Sequence, residues 1–267
     1  MVKKLLLLWI LSISFACSTD SPKEELPAPV QNFDVSLTPS AGEVFLDVPF
    51  TIKVQANVGI HEISRIFENR VESIISLNPG TALEADRLNL NLGFGFLGNE
   101  TVVLEFTSIT GKKLTKTLNF VVKRGNAVKI VGFKINSFYN MHGTWDEEFS
   151  ETDPNRLADI HFGFRKLRQG HISNPNPTLG PWYLSPVYPN MQQLEFDLSQ
   201  AGLYISENSR LELGLSDADE DGTGQDLTMG YRELWIKLMD HKDAKPAEIN
   251  LANEEYGFDV TFYLEWL

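Results

Sequence analysis

Phe258-Asp259-Val260-Thr261-Phe262-Tyr263-Leu264-Glu265-Trp266 alternates large apolar side chains with polar or amphipathic ones for nine residues. A period of two places successive side chains on opposite faces of an extended chain, so this stretch reads as a strand with one face in a core. Val128 to Asn136 mirrors it. Val128, Ile130, Gly132, Lys134 and Asn136 fall on one face, and Lys129, Val131, Phe133 and Ile135 on the other. The two stretches bracket a region in which Leu194, Phe196 and Leu198, then Leu211, Leu213 and Leu215, supply further strands. First and last strands of a sandwich often pair, which closes a unit over residues 126–267.

The same period governs the preceding hundred residues. Phe33, Val35 and Leu37 form a strand ended by Pro39-Ser40-Ala41-Gly42, and Phe50, Ile52, Val54 and Ala56 form a second. Leu88 to Phe96 reads as a third. Val102 to Ile109 and Leu114 to Val122 flank Thr110-Gly111-Lys112, a hairpin signal. Ile60, Ile63, Ile66, Val71, Ile74 and Ile75 fit either a helix or two bent strands joined at Glu68-Asn69-Arg70. Many short strands with turn signals over residues 32–124 resemble the immunoglobulin-like sandwich, without the disulfide of antibody domains. Lys123-Arg124-Gly125-Asn126 marks the boundary. The fold class expected is all-β: two tandem β-sandwiches after a leader and a short disordered tether.

The leader is residues 1–16. Lys3 and Lys4 precede an apolar run from Leu5 to Ile13, interrupted only by Ser12. About 20 apolar residues are needed to span a bilayer, so this run suits the core of a cleaved export signal. Cys17, the chain's single cysteine, follows Ala16 directly. This placement resembles the lipobox of bacterial lipoproteins, with Ser14 where the family usually has leucine. The resemblance implies a covalent lipid on Cys17 and an address at a membrane, the outer membrane first among them, with the body facing periplasm or exterior. The other reading is an ordinary signal-peptidase cut near Ala16 that leaves a free thiol. Ser18 to Gln31 is polar and proline-bearing, a flexible tether over residues 17–31.

The formal net charge is −13, and loss of Lys3 and Lys4 with the leader makes it −15. Such a body repels phosphate backbones, so nucleic acid is not an expected partner. His61, His142, His161, His171 and His241 lack zinc-site spacing, and no nucleophile elbow, phosphate loop or dinucleotide fingerprint occurs. A non-catalytic role is therefore expected; a hydrolase using the acidic loops ranks last.

The most distinctive segment runs from Ser216 to Gly230, with five carboxylates between Asp217 and Asp226. Closely spaced carboxylates repel unless water or a cation disperses the charge, and calcium takes six to eight oxygens. Asp217, Asp219, Asp221 and Gly222 match the opening of an EF-hand loop, but Thr228 stands where that motif needs glutamate. Asp217-Ala218-Asp219, then Asp226-Leu227-Thr228-Met229-Gly230, resembles the calcium loop of C2 domains. Asp146, after Gly143-Thr144-Trp145, and Asp159, just before the strand Ile160-His161-Phe162-Gly163-Phe164, resemble the opposing loop of that family. The resemblance implies a C2-like sandwich and calcium held by Asp146, Asp159, Asp217, Asp219 and Asp226, with Asp221 a weaker ligand. The alternative is a solvated acidic hairpin tip. Trp182 and Tyr183, among Pro181, Pro186 and Pro189, read as an aromatic loop that either grips a glycan or protein partner or packs on its own sandwich. The oligomeric state is not legible.

Overall fold

Alternation of apolar and polar residues is satisfied along nearly every strand of the computed structural model, which describes residues 32–67, 70–77, 83, 88–168, 178–219, 224–231 and 234–267. The leader, Cys17, the tether, His171 and Asp221 lie outside the described residues. Among the described residues no helix is long and apolar enough to cross a membrane.

In the first half the strands are β1 (Val35–Pro39), β2 (Val44–Phe45), β3 (Phe50–Ala56), β4 (Ile60–Phe67), β5 (Arg70–Ser76), β6 (Leu88–Leu92), β7 (Gly98–Ser108) and β8 (Lys113–Lys123). They form two sheets, ordered β1-β3-β6 and β2-β8-β7-β4-β5. Val35, Ile52, Val54 and Leu90 from the first sheet and Ile60, Ile63, Val102, Leu104 and Phe106 from the second share one core. The isoleucine-rich stretch is thus two antiparallel strands. Its helix-like spacing has a local cause: the ladders shift between Ile60 and Glu62 and between Ile63 and Ser64. An extra residue in a strand resets the parity, so Ile60 and Ile63 both face inward.

Two details differ from the sequence reading. β6 ends at Leu92, not at Phe96. Phe94 still packs inward against Phe50 and Phe120, but its carbonyl accepts from the Asp47 N–H, and Phe96 stands 56% exposed. Two-residue β2, which the sequence does not announce, lies parallel to the end of β8.

The second half contains β9 (Ala127–Ser137), β10 (Ile160–Arg168), β11 (Thr178–Leu184), β12 (Glu195–Asp197), β13 (Tyr204–Ser206), β14 (Arg210–Ala218), β15 (Gly224–Asp226), β16 (Trp235–Lys237), β17 (Glu248–Asn253) and β18 (Phe258–Trp266). One sheet runs β12-β9-β18-β17, with β13 also on β9; the other runs β11-β10-β14-β15, with β16 also on β14. First and last strands pair antiparallel, Phe133 opposite Phe262. Phe133, Phe162, Phe164, Phe196 and Phe262 interlock across the space between the two sheets, with centroid separations of 4.6–6.1 Å. Such packing gives this half the character of a β-sandwich. Trp145 is buried, as its apolar neighbours suggest. Trp235 lies half-buried with Arg210 and Lys237 over its ring.

Phe33–Leu267 forms one compact unit, and a buried ion pair joins its two cores. On β10 the inward positions are Phe162, Phe164 and then Lys166, which is 2% exposed. Its Nζ lies 2.9 Å from Asp47 Oδ1 and donates to the Tyr204 carbonyl at 3.1 Å, while the Ser206 N–H donates to Asp47 Oδ2 at 3.0 Å. The Trp182 ring covers the ammonium at 4.4 Å. Burial pushes the Asp47 carboxyl up, against the pull of Lys166 and the Ser206 N–H.

Candidate metal centre

β14 carries the centre of the site. Its inward residues are Leu211, Leu213, Leu215 and then Asp217, so parity alone drives a carboxylate into the position of the next core residue. Asp217 is 0% exposed. Its Oδ1 accepts the Asp159 N–H at 2.6 Å, and its Oδ2 has no hydrogen-bond partner among the described residues. A buried acceptor without a donor costs about 1–3 kcal/mol, more when charged. Asp219 follows two residues on, just past the strand.

Asp146 arrives from the opposite side. The connection between β9 and β10 folds over this end of the sheets and is pinned by Trp145, whose ring packs near Phe138 and whose Nε1 donates to the Asn140 carbonyl at 3.1 Å. Asn140 has φ 50°, and its side-chain amide packs where a Cβ at Gly143 would stand, with Nδ2 1.9 Å from that position. One carboxylate oxygen each of Asp146, Asp217 and Asp219 lies within 4.8 Å of the others. Two oxygens bound to one calcium ion at 2.3–2.6 Å stand at most about 5 Å apart, so the set is compatible with a shared cation.

The charges are mutually unfavourable. Burial first, then Asp146, Asp219 and Asp159, push the Asp217 carboxyl up to about 6, although the Asp159 N–H pulls it down. Burial also raises Asp146, with Asp159, Glu148 and Asp219 adding to it. Burial leads both shifts, and the neighbouring carboxylates add to it.

The remaining acidic residues named from sequence are placed differently. Asp159 adjoins the set: its carbonyl accepts from Ala218 N–H, and its Oδ1 accepts from Asn190 N–H at 2.7 Å. Asp226 is outside the mutually close set. Its Oδ1 accepts from the N–H and hydroxyl of Thr228, and its Oδ2 accepts from Gly230 N–H at 3.0 Å, which closes its own turn. The chain matches no protein-family model and no curated protein.

Trp182 and Tyr183 belong to β11, not to a loop. The ladder to β10 slips at Phe164/Arg165, so that Tyr183 opposes Phe164 while Pro181 opposes Arg165. Tyr183 stacks on Phe164 at 5.6 Å, and both aromatic rings pack on the core.

Sequence reasoning missed two residues that organise the site. Asn190, with φ 53°, presents its N–H to Asp159 from a turn that only the fold brings there. Arg156 donates through Nη1 to the carbonyls of His142 and Gly143, both at 2.6 Å. Neither residue stands in a sequence pattern that would have marked it.

Proposed function

We propose that this chain is a non-catalytic binding module, held at a membrane by lipid on Cys17, whose second half binds a divalent cation, calcium, at Asp146, Asp217 and Asp219 with Asp159 beside them. The observation that carries the cation reading is Asp217 itself: it is fully buried, its Oδ2 has no hydrogen-bond partner among the described residues, and one of its carboxylate oxygens lies within 4.8 Å of oxygens of Asp146 and Asp219. A bound calcium supplies the positive charge that those oxygens lack. The two antiparallel sheets of residues 126–267, with acidic loops at one end, favour the C2-like reading of that half. Two facing sheets without a disulfide favour an immunoglobulin-like spacer over residues 32–124. Trp182 and Tyr183 are engaged with their own core, so the cation reading stands ahead of glycan binding.

Trp145 is adjacent to Asp146 and offers a direct assay. Terbium bound at the site will luminesce when tryptophan is excited, and calcium will quench that signal by competition. Wild-type protein should show both, and Asp217→Asn neither. Absence of sensitised emission from the wild type, with no calcium-dependent rise in melting temperature at millimolar metal, would refute the assignment.

A further inference from the structure

The connection that delivers Asp146 runs over residues 138–159 with only one short 3-10 turn, Pro154–Arg156. A ligand on such a segment binds a cation well only when the segment is held in place beforehand, because ordering it on binding costs affinity. Arg156 holds it from two directions. Its guanidinium clasps the carbonyls of His142 and Gly143, and its own carbonyl accepts from the N–H groups of Trp145, at 2.8 Å, and Asp146, at 3.4 Å. One residue therefore spans positions 142 to 146. Asp153 fixes the turn beneath Arg156, its carboxylate accepting from the Asn155 N–H at 2.9 Å.

We propose that Arg156 is a positioning residue: by clamping the His142 and Gly143 carbonyls it holds the Asp146 carboxylate against Asp217 and Asp219, and so sets the affinity of the site for a divalent cation. The inference rests on the cation reading and adds a residue that touches no ligand. Planarity matters here, because a guanidinium can serve two neighbouring carbonyls at once, whereas a lysine ammonium is a point donor.

The test uses the full chain with Arg156→Gln, Arg156→Lys, Asp146→Asn and the double variant Arg156→Gln/Asp146→Asn, titrated with terbium and competed with calcium. Loss of such a support typically weakens metal affinity about 10-fold to 100-fold. Arg156→Gln is expected to weaken terbium about 10-fold, and Arg156→Lys by less. The double variant is expected to bind no more weakly than Asp146→Asn alone, because the clamp acts only through that carboxylate. A purely structural role would lower the melting temperature of the metal-free protein and would multiply with Asp146→Asn. Unchanged affinity in Arg156→Gln, or multiplied losses in the double variant, overturns the positioning role while leaving the cation site standing. Failure of the wild type to bind terbium overturns both. Should Arg156→Gln not fold, Arg156→Lys and its double with Asp146→Asn decide by the same comparison.

Discussion

Replacing Asp217 with asparagine should stabilise the metal-free protein at neutral pH, although the residue is completely buried. An unfolded aspartate titrates near 3.8, and in the fold Asp217 is pushed up to about 6. The folded state thus holds its proton more tightly than the unfolded state. For this group stability is greatest below 3.8, falls as pH rises towards 6, and stays low above that. The displacement corresponds to at most about 3 kcal/mol, and relaxation of the neighbouring carboxylates brings the expected effect to about 2 kcal/mol. Asparagine keeps an oxygen for the Asp159 N–H and places a donor where Oδ2 had no partner. Urea denaturation in chelator at several pH values between 4 and 7.5 measures the difference directly. Asp47 is also raised and slopes both curves alike, whereas Asp146 is coupled to Asp217, so the gap between wild type and variant measures Asp217 together with that coupling. The variant should gain about 2 kcal/mol at pH 7.5, a rise of about 4–8 °C in melting temperature, and the gap should close towards pH 4. Parallel curves at every pH, or a variant less stable at pH 7.5, would refute the account of this carboxylate. Millimolar calcium should then reverse the order, since only the wild type gains from binding.

Lys166→Met takes the ammonium from beside the buried Asp47 carboxylate and should cost about 3–5 kcal/mol by denaturant titration, with Lys166→Met/Asp47→Leu recovering part of the loss. Trp182→Ala removes the ring over that ammonium and should cost about 2 kcal/mol while leaving terbium affinity unchanged; retention of wild-type stability together with lost binding to a polysaccharide gel would favour the glycan reading instead. Gly143→Ala displaces the Asn140 side-chain amide from the turn before Asp146 and should weaken terbium binding several-fold, read by the same luminescence titration. Cys17→Ser should move the protein from the membrane to the soluble fraction, and intact-mass spectrometry of the wild type should show an acylated cysteine; identical fractionation of the two would end the anchor proposal.

Parity along strands was the most legible property. Phe258 to Trp266 and the hairpin around Gly111 could be placed from side-chain type alone, because alternation directly encodes which face is buried; along Val128 to Asn136 a ladder shift at Val131 instead turns Val128 and Ile130 as well as Phe133 and Ile135 inward. The bulged stretch from Ile60 was ambiguous for the same reason, since one extra residue per bulge mimics a helical spacing. At the site, Asp217 was marked by charge crowding, but its burial was also implicit: it continues the inward series Leu211, Leu213, Leu215. Lys166 carried the same kind of mark after Phe162 and Phe164. In both cases a charge at a core parity was the informative anomaly.

Sequence by itself determined the all-β class, the pairing of the first and last strands of the second half, and the acidic character of one loop end, because local alternation and composition act through neighbours along the chain. Tertiary structure alone decided which carboxylates meet. Asp146 and Asp217 are separated by seventy residues and converge only because the connection leaving β9, the start of β10 and the end of β14 meet there, while Asp226, much nearer in the chain, bonds into its own turn. The junction of Asp47 with Lys166 and the clasp of Arg156 have the same origin: hydrogen bonds and ion pairs depend on distances of a few ångströms in space, which no spacing along the chain specifies.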